Sequence, residues 1–411
     1  MSKNDAVNGS AVGAGFGEGE GVSEWREVTL QDVVSKLGDG LHGTPEYDDT
    51  GDYFFINGNN LSNGKIIVKE NTRRTTKKEY EKYYKELNER TILVSINGTL
   101  GNTAFYNNEP CILGKSACYF NVIEGVDKYY IRYILTDKNF QEYIRNFAHG
   151  STIQNVSLKT MREYSFLLPP LPEQKAIASV LSSLDDKIDL LHRQNKTLEA
   201  IAETLFRQWF IEEAQEDWDE GTVQDYCIHY KEGIKPQDFP TKTFSHYSIP
   251  SFDQNMNPVS ESGSEIRSNK YSVVPYCLLF SKLNPNKDKR IWLILDQPGE
   301  NPICSTEFQV VLPKEQKHLY FIYGWLSIPQ NYNEIASSVG GTSGSHQRID
   351  PADIFNFPCP RMDETYLDQF NAKVEPLFRS IQKNHIQIRT LEKLRDTLLP
   401  KLMSGEVRVA L

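Results

Sequence analysis

Two short polar segments, HGSTIQN at 149–155 and GTSGSHQR at 341–348, combine small residues with side chains that can read the edge of a DNA base. Gly and Ser allow a backbone to approach a partner closely, and the amide of Gln or Asn can form two hydrogen bonds with adenine. A structural turn that caps the following helix explains the same residues equally well. The two segments occupy equivalent places in two related halves of the chain, which fits either interpretation.

Two basic stretches suggest a second kind of chemistry, contact with phosphate groups. Residues 65–90 contain nine Lys or Arg against five Asp or Glu, and SKLNPNKDKR at 281–290 contains four basic residues against one acid. Basic side chains beside Asn, Ser and Thr suit phosphates and base edges. TTKKEYEKYYKELNER at 75–90 is equally typical of a solvated helix face. NPNKDKR is too short and too rich in Pro and Asn for a helix, which favours an anion-binding loop.

Patterns that would indicate catalysis are missing from the sequence. The glycines of GAGFGEG follow no strand and precede no helix, and there is no GxxxxGK[ST] phosphate loop. LPPL at 168–171 has Leu168 where an amino-methyltransferase motif carries the Asn that holds the target amine. The eight histidines show no ligand or triad spacing, and the six cysteines form no CxxC pair. The sequence therefore predicts buried, reduced thiols in a cytoplasmic protein, with no metal site and no enzyme active site.

The sequence repeats itself at a distance of 193 residues. TLEAIAETL at 197–205 returns as TLEKLRDTL at 390–398, EWREVTLQD at 24–32 aligns with DWDEGTVQD at 217–225, and QNV at 154–156 aligns with QRI at 347–349. Three separated stretches with one offset indicate an internal duplication of roughly 24–216 and 217–411. The middle of each half diverges more than its ends, so the halves share a frame and differ in content.

The repeated ends of the two halves predict two long helices. Apolar residues at alternating steps of four and three define a coiled-coil seam in each, with Asn195 and Asn384 as polar members. Pro376 indicates a kink or a late helix start in the second helix. Each helix can pack on its own globular neighbour; we favour the two helices packing on each other, antiparallel. About forty residues would then form a rod of roughly 60 Å.

The remaining segments predict two α+β domains. Strands are expected in DYFFING, TILVSING and CYFNVI of the first half and in VVPYCLLFSKL, RIWLILD and FQVVLP of the second. Helical periodicity follows each set of strands, in 128–147 and in 319–339. No apolar run is long enough to span a membrane. The net charge of −10 argues against a polyanionic partner for the chain as a whole, although binding depends on the local surface.

Taken together, these segments resemble the DNA-specificity subunits of type I restriction–modification systems. The resemblance covers nearly the whole chain from Glu24 and depends on LPPLPEQKAIASVLSSLDDKIDLLHRQNKTLEAIAETLFRQWF, TLEKLRDTLLPKLMSGEV, LLFSKLNPNKDKRIW and GTSGSHQ. It implies an α+β fold with two globular target-recognition domains, two long antiparallel coiled-coil helices between them and an internal pseudo-twofold repeat. Its segments would be a Gly-rich disordered leader at 1–22, recognition domains at 23–168 and 214–360, spacer helices at 169–213 and 361–403, and a tail at 404–411.

The resemblance also implies the function and the partners. Each domain would read one half of a bipartite, asymmetric site in double-stranded DNA, and the helices would set the gap and dock two modification subunits. The chain itself would bind no cofactor. S-adenosylmethionine would be used by the modification subunits, and ATP with Mg²⁺ by restriction subunits. Two other classes compete with this interpretation: a coiled-coil scaffold that does not touch DNA, and a self-contained methyltransferase that binds S-adenosylmethionine itself.

The predicted DNA contacts are polar and basic residues of the segments described above. In the first domain the expected groove contacts are His42, Thr44, Asn97, Thr99, Asn102, Ser151, Thr152, Gln154 and Asn155, and the expected phosphate contacts are Arg73, Arg74, Lys77 and Lys78. In the second domain they are Lys282, Asn284, Asn286, Lys287, Lys289, Arg290, Ser345, His346, Gln347 and Arg348.

Overall fold

A computed structural model describes residues 25–150, 154–214, 218–339 and 347–410. Two compact units divide the chain. One combines the residues up to Lys187 with those from Leu391 onward, and the other is Ile188–Thr390. Both units mix helices and sheets, which confirms the α+β class. The domain boundaries predicted from the sequence remain a prediction.

The first unit contains four small sheets and several short helices. Its strands and helices are β1 (Arg26–Thr29), β2 (Val34–Asp39), β3 (Tyr53–Ile56), β4 (Leu61–Ser62), β5 (Lys65–Ile66), β6 (Arg74–Thr75), α1 (Lys77–Lys82), β7 (Thr91–Ser95), β8 (Thr103–Phe105), β9 (Cys111–Leu113), β10 (Ala117–Val122), α2 (Lys128–Thr136), α3 (Lys138–Asn146), α4 (Leu158–Glu163), β11 (Ser165–Leu168) and the start of the long helix α5 (Leu171–Arg207).

The second unit begins within α5, which ends in a π-helical turn at Gln208–Glu212. It continues with β12 (Asp219–Thr222), α6 (Val223–Tyr226), β13 (Cys227–Tyr230), β14 (Gly233–Ile234), β15 (Thr243–Tyr247), α7 (Ile249–Asn255), β16 (Val259–Ser262), β17 (Lys270–Ser272), β18 (Cys277–Ser281), β19 (Ile291–Ile294), β20 (Ile303–Ser305), β21 (Phe308–Pro313), α8 (Leu319–Ser327), α9 (Pro329–Ser337), α10 (Pro351–Phe355), β22 (Pro358–Arg361) and most of the long helix α11 (Glu364–Ser404).

The internal repeat is present in the sheet topology. The first unit has a four-stranded antiparallel sheet in the order β2-β10-β7-β8, and the second has its counterpart in the order β13-β21-β18-β19. A parallel pair accompanies each of these sheets, β3 with β9 and β15 with β20. The units differ around that pair, which belongs to a three-stranded sheet in the first unit and a five-stranded sheet in the second. The shared frame and the different content predicted from the sequence are therefore both observed.

The Thr and Asp residues that are identical in the two halves have a local structural role. Thr29 opens a short 3-10 helix, and its backbone N–H donates to the Asp32 carboxylate at 2.8 Å; the backbone N–H of Thr222 donates to Asp225 at 2.9 Å in the second unit. This reciprocal capping satisfies backbone donors that a helix start leaves free. The strand before each cap pairs with the strand before the next long helix, β1 with β11 and β12 with β22.

Each four-stranded sheet is buried on both faces. In the first unit Ile92, Val94 and Phe120 point into a core formed with α2, α3 and α5, while Leu93 and Tyr119 point into a second core under β3 and β9. Alternating side chains of β18 and β21 divide in the same way in the second unit. Strands buried on both faces read as continuous apolar runs, which is why TILVS and CLLFS were recognisable in the sequence.

The long helices pack on each other and on the globular parts, so the two packing modes considered from the sequence both occur. In the second unit the Asn384 amide donates to the Asn195 side chain at 2.8 Å, and the Tyr366 hydroxyl donates to the Trp209 carbonyl at 2.8 Å. Residues later in α5 thus meet residues earlier in α11, as antiparallel helices require. Phe206 of α5 also packs in one core with Phe321 of α8.

The same antiparallel order holds within the first unit. Arg395 of α11 donates to Asp185 of α5 at 3.0 Å, and Arg408 donates to Glu173 at 3.0 Å. Asp185 also accepts from Arg132 and Tyr133 of α2. Burial opposes ionisation of Asp185, but the hydrogen bonds and the two guanidinium charges outweigh it and hold the pKa of this carboxyl below its ordinary value.

Proline 376 does not interrupt the second long helix, which runs without a break from Glu364 to Ser404. The predicted late start is therefore wrong. All six cysteines are buried free thiols, and burial raises the pKa of each. Across the described ranges, no helix has both the length and the apolar character needed to cross a membrane.

Candidate nucleic-acid interface

In the first unit the loop that follows β7 is bonded to the segment that precedes α4. The Val156 N–H donates to the Ile96 carbonyl at 2.8 Å, and the Gly98 N–H donates to the Gln154 carbonyl at 3.0 Å. Gly98 has a φ of +74°, a left-handed conformation that a residue without a side chain adopts at no steric cost. These bonds bring the Asn97 side chain to that of Asn155, where Nδ2 lies 3.3 Å from Oδ1.

The second unit repeats this arrangement with other residues. The Ile349 N–H donates to the Lys282 carbonyl at 3.0 Å, and the Asn284 N–H donates to the Gln347 carbonyl at 2.8 Å. Asn284 occupies the place of Gly98 and also has a positive φ, +47°. Asn is among the residues that tolerate this conformation. A common backbone frame therefore presents two different sets of polar side chains.

A cleft of about 270 Å³ lies beside the frame of the first unit. It is lined by His42, Asn97 and Asn155 of the predicted set, together with Asp39 and Lys115, which sequence reasoning did not select. His42 Nε2 lies at hydrogen-bond distance, 2.6 Å, from Oδ2 of the Asp39 carboxylate. The structure thus brings together residues from four separate stretches of the chain, and the cleft carries donors, acceptors and both signs of charge.

The other groove residues predicted for the first unit lie in the loops after β2, between β7 and β8, and before α4. Thr44 and Gln154 are exposed, and Thr99 is exposed at the tip of the loop after β7. The Asn102 carbonyl accepts from the Ser95 N–H at 2.9 Å and closes the turn between β7 and β8. Four further predicted contacts, Ser151, Thr152, Ser345 and His346, lie outside the described residues.

The predicted phosphate contacts of the first unit lie in β6, immediately before it, and in α1. Arg73 lies 3.8 Å from Asp49, and the Arg74 guanidinium lies over the Phe54 ring. Lys77 pairs with Glu81 at 3.7 Å within α1, while Lys78 is exposed. The helix covers only Lys77–Lys82 of the basic stretch. A solvated helix face and a phosphate-binding surface both remain consistent with this placement.

In the second unit the predicted residues divide between exposed and internally paired side chains. Lys287 and Asn286 are exposed, and the Asn286 amide lies 3.4 Å from Gln347 Oε1. Lys282 is partly buried, and Lys289 donates to the Ser327 carbonyl at 2.8 Å.

Arg290 differs from the other predicted contacts of this loop because it is only 8% exposed. Its Nε and Nη2 bond to the Asp253 carboxylate at 2.6 and 2.9 Å, and Nη2 also bonds to Asp288 at 2.7 Å. Reaching a phosphate would require both ion pairs to break. This geometry favours an internal structural role for Arg290 over the DNA contact predicted from the sequence.

Arg348 forms a two-pronged ion pair with Glu307. Its Nε lies 3.0 Å from Oε2, and its Nη2 lies 2.8 Å from Oε1. Glu307 is placed by its own backbone, since its carbonyl accepts from the Lys282 N–H at 2.9 Å. Sequence reasoning missed Glu307 because it lies 41 positions from Arg348, and no local pattern connects the two.

Within the described ranges, one cluster brings three potential metal ligands together: Glu315, His318 and Glu364. The Lys317 ammonium lies 2.6 Å from Glu364 and 3.2 Å from Glu315. The hydrogen bond from Lys317 lowers the pKa of the Glu364 carboxyl. A cation supplied by the chain itself therefore balances these carboxylates, and the arrangement fits an ion-pair network better than a metal centre.

Comparison with known proteins gives concordant results for sequence and fold. Residues 22–200 match the family model "Type I restriction modification DNA specificity domain". The type I restriction enzyme MjaIX specificity subunit of Methanocaldococcus jannaschii is 27% identical over 78% of this chain and 78% of its own length. The putative MjaX specificity subunit of the same organism is 28% identical over 49% of this chain and 52% of its own length.

A solved structure shares the fold. The crystal structure of a type I restriction–modification system S subunit from M. genitalium superposes with a TM-score of 0.58 at 18% identity. The match covers 93% of this chain and 96% of that one.

Proposed function

Because this chain belongs to the family of type I restriction–modification specificity subunits, we propose that each of its two units reads one half of a bipartite, asymmetric DNA site. A specificity subunit is the recognition component of its system and not a catalytic one. The two half-sites differ in sequence, since the two units present different side chains.

One observation carries this proposal: the same two backbone hydrogen bonds recur in both units and hold different polar residues. Asn97 and Asn155 are paired in the first unit, while Asn286, Gln347 and Arg348 surround the equivalent bonds in the second. In both units the backbone is the same and the side chains differ. Such an arrangement suits sequence recognition, because side-chain amides and guanidinium groups form hydrogen bonds with base edges. Amides pair with adenine and guanidinium groups with guanine.

The long helices fit the role of a spacer that fixes the unread gap. α5 has 37 residues and α11 has 41, which correspond to about 55 and 60 Å of helix at 1.5 Å rise per residue. In each unit they are joined by specific side-chain bonds, Asn195 with Asn384 and Asp185 with Arg395. Such bonds keep two helices in one register, and a constant register gives a constant gap.

Two modification subunits dock on these helices and the adjoining domain surfaces, and restriction subunits join them in the cytoplasm. The modification subunits bind S-adenosylmethionine and methylate adenine, and the restriction subunits use ATP with Mg²⁺. The chain described here binds neither cofactor. A target adenine is flipped into the pocket of a modification subunit and not into this chain.

The acidic net charge of −10 fits a subunit that binds DNA inside a complex. Phosphate contacts supply most non-specific affinity, and they position a protein on DNA without specifying sequence. If the modification subunits enclose the duplex, this chain needs only local basic surfaces. We expect weak duplex binding by the chain alone and strong binding by the complex.

The test is to co-express the chain with its modification subunit and to map methylated adenines across a genome by single-molecule sequencing. We expect one bipartite motif with a fixed gap. Exchange of residues 217–360 for those of a relative should change one half of the motif and leave the other half and the gap unchanged. A stable complex that methylates at no bipartite motif would contradict DNA reading and favour a scaffold.

A further inference from the structure

We propose that Arg348 reads a guanine in the half-site of the second unit, and that Glu307 is the positioning residue that orients its guanidinium. This inference depends on the proposed function and assigns one base to one side chain.

The ion pair uses only one edge of the guanidinium. Glu307 takes the Nε–H and one N–H of Nη2, at 3.0 and 2.8 Å. Arginine has five N–H donors in a planar fork, so both hydrogens of Nη1 and one of Nη2 remain. Two parallel donors on that second edge match the O6 and N7 acceptors of guanine in the major groove.

Both partners are fixed by backbone bonds to the loop that follows β18. Arg348 forms an antiparallel bridge with Leu283, and the Lys282 N–H donates to the Glu307 carbonyl at 2.9 Å. The Arg348 side chain is 43% exposed and that of Glu307 is 23% exposed. The carboxylate is therefore set back in the protein, while the guanidinium faces solvent. A side chain held in this way loses less conformational freedom on binding.

The charge balance distinguishes a base contact from a phosphate contact. Glu307 offsets the positive charge of Arg348, which weakens its attraction to the DNA backbone. Hydrogen-bond matching to a base edge depends on the orientation of the donors, and the carboxylate improves that orientation. Lys287, which is exposed on the same loop, is better suited to a phosphate.

The first unit has an amide in the equivalent position. Asn155 occupies the place of Arg348 in the shared frame, and its partner is the Asn97 amide at 3.3 Å. The guanine contact is therefore expected in one half-site only. The other half-site serves as an internal control in every measurement.

The experiment uses the full complex with modification subunits and a set of duplexes in which each base pair of the mapped motif is replaced in turn. For the wild-type complex, replacement of one particular G·C pair in the second half-site should lower the affinity for the duplex on the order of 10-fold or more. Arg348→Gln should remove the preference at that pair only. Arg348→Lys keeps a charge for Glu307 but lacks the fork, and should also lose it.

Glu307→Gln tests the positioning role by a separate readout. Guanine preference should decrease without vanishing, and the salt dependence of binding should become steeper because the charge of Arg348 is no longer offset. Arg361→Gln is the matched control, since Arg361 forms a similar exposed ion pair with Asp225 at 3.1 Å on β22. It should leave every base preference unchanged.

The outcomes separate this inference from the function that it depends on. Absence of any bipartite motif would contradict DNA reading itself. A bipartite motif whose base preferences are all retained in Arg348→Gln and Arg348→Lys would overturn the guanine assignment alone. If Arg348→Gln does not assemble, Arg348→Lys decides the question.

Discussion

At the scale of single residues, the loop after β18 separates side chains that face solvent from side chains that the protein uses itself. Charge pattern in the sequence selected Lys287 and Arg290 alike. It could not distinguish them, because the carboxylate that captures Arg290 belongs to Asp253, 37 positions away. Exposure and pairing are properties of the folded chain, so only the structure separates a free cation from a structural one.

Lys287→Ala should weaken DNA binding by the complex to a similar extent for all sequences. Loss of one phosphate contact should reduce the slope of log affinity against log salt by about 1. The measurement is a titration of matched and random duplexes at several salt concentrations. Lys314→Ala is the control. Lys314 is also an exposed lysine, but it follows the last residue of β21, whereas the loop that carries Lys287 begins next to the first residue of that strand. An unchanged salt slope in Lys287→Ala would rule out the phosphate contact.

His229 predicts a pH dependence of stability. It stacks on Phe355 with ring centroids 4.6 Å apart. Burial, assisted by the charges of Lys231 and Lys282, lowers its pKa from 6.5 to about 4, although a hydrogen bond with Gln309 opposes the shift. The unfolded chain therefore binds more protons than the folded one between these values. The free energy of unfolding should fall as the pH decreases through this window.

Urea unfolding of the wild type and of His229→Gln at pH 7 and pH 4.5 measures this contribution. The variant should lose less stability on acidification than the wild type, since glutamine does not titrate. His149→Gln, which replaces an exposed histidine, measures the general effect of removing an imidazole. Equal losses in the wild type and His229→Gln would show that His229 does not contribute.

At the scale of elements, the helices and the central strands were predictable, while the correspondence between the two halves was predictable only in part. The seam positions identified the long helices because a heptad pattern is local. A constant shift of 193 residues aligns Asn97 with Arg290, whereas in the structure the residue equivalent to Asn97 is Leu283. The stretch from β2 to β7 is seven residues longer than that from β13 to β18. Sequences that diverged this far do not reveal where such a length difference lies.

The polar pair in the helix seam should be coupled. Asn195 is 4% exposed and receives the Asn384 amide at 2.8 Å. Asn384→Leu leaves the Asn195 amide buried without that partner and should cost about 1–3 kcal/mol of unfolding free energy. The double variant with Asn195→Leu should recover most of this loss, because two apolar side chains replace two amides.

A double-mutant cycle in urea measures the coupling between these two positions. Gln194→Leu, on the exposed side of α5, controls for the addition of an apolar side chain to the helix. Additive effects of the two Asn substitutions would contradict the coupling, and register would then depend on the apolar seam residues instead.

At the scale of the whole molecule, the first unit is assembled from two distant parts of the chain. Leu402 and Met403 of α11 belong to the same core as Ile177 and Leu181 of α5. Arg408 lies over the Trp25 ring at 5.1 Å. Residues at both ends of the described chain thus complete one core, whereas the second unit is continuous in sequence.

Truncation after Thr390 should destabilise the first unit selectively. Its core would lose Leu402 and Met403, and removal of large buried side chains costs about 2–5 kcal/mol each. Hydrogen exchange followed by mass spectrometry should show faster exchange in β7 and β10 and unchanged protection in β18 and β21. Leu394→Ala, which alters an exposed residue of the removed segment, should change neither. Equal loss of protection in both units would contradict the selective effect.

During synthesis on the ribosome, residues 188–390 are made before the residues from Leu391 onward, which complete the core of the first unit. At about 5–20 residues per second, the nascent N-terminal part waits roughly 10–40 seconds with the apolar face of α5 uncovered. The second unit can close on its own residues as soon as they leave the exit tunnel. The N-terminal part is therefore the one that should engage ribosome-associated chaperones during synthesis.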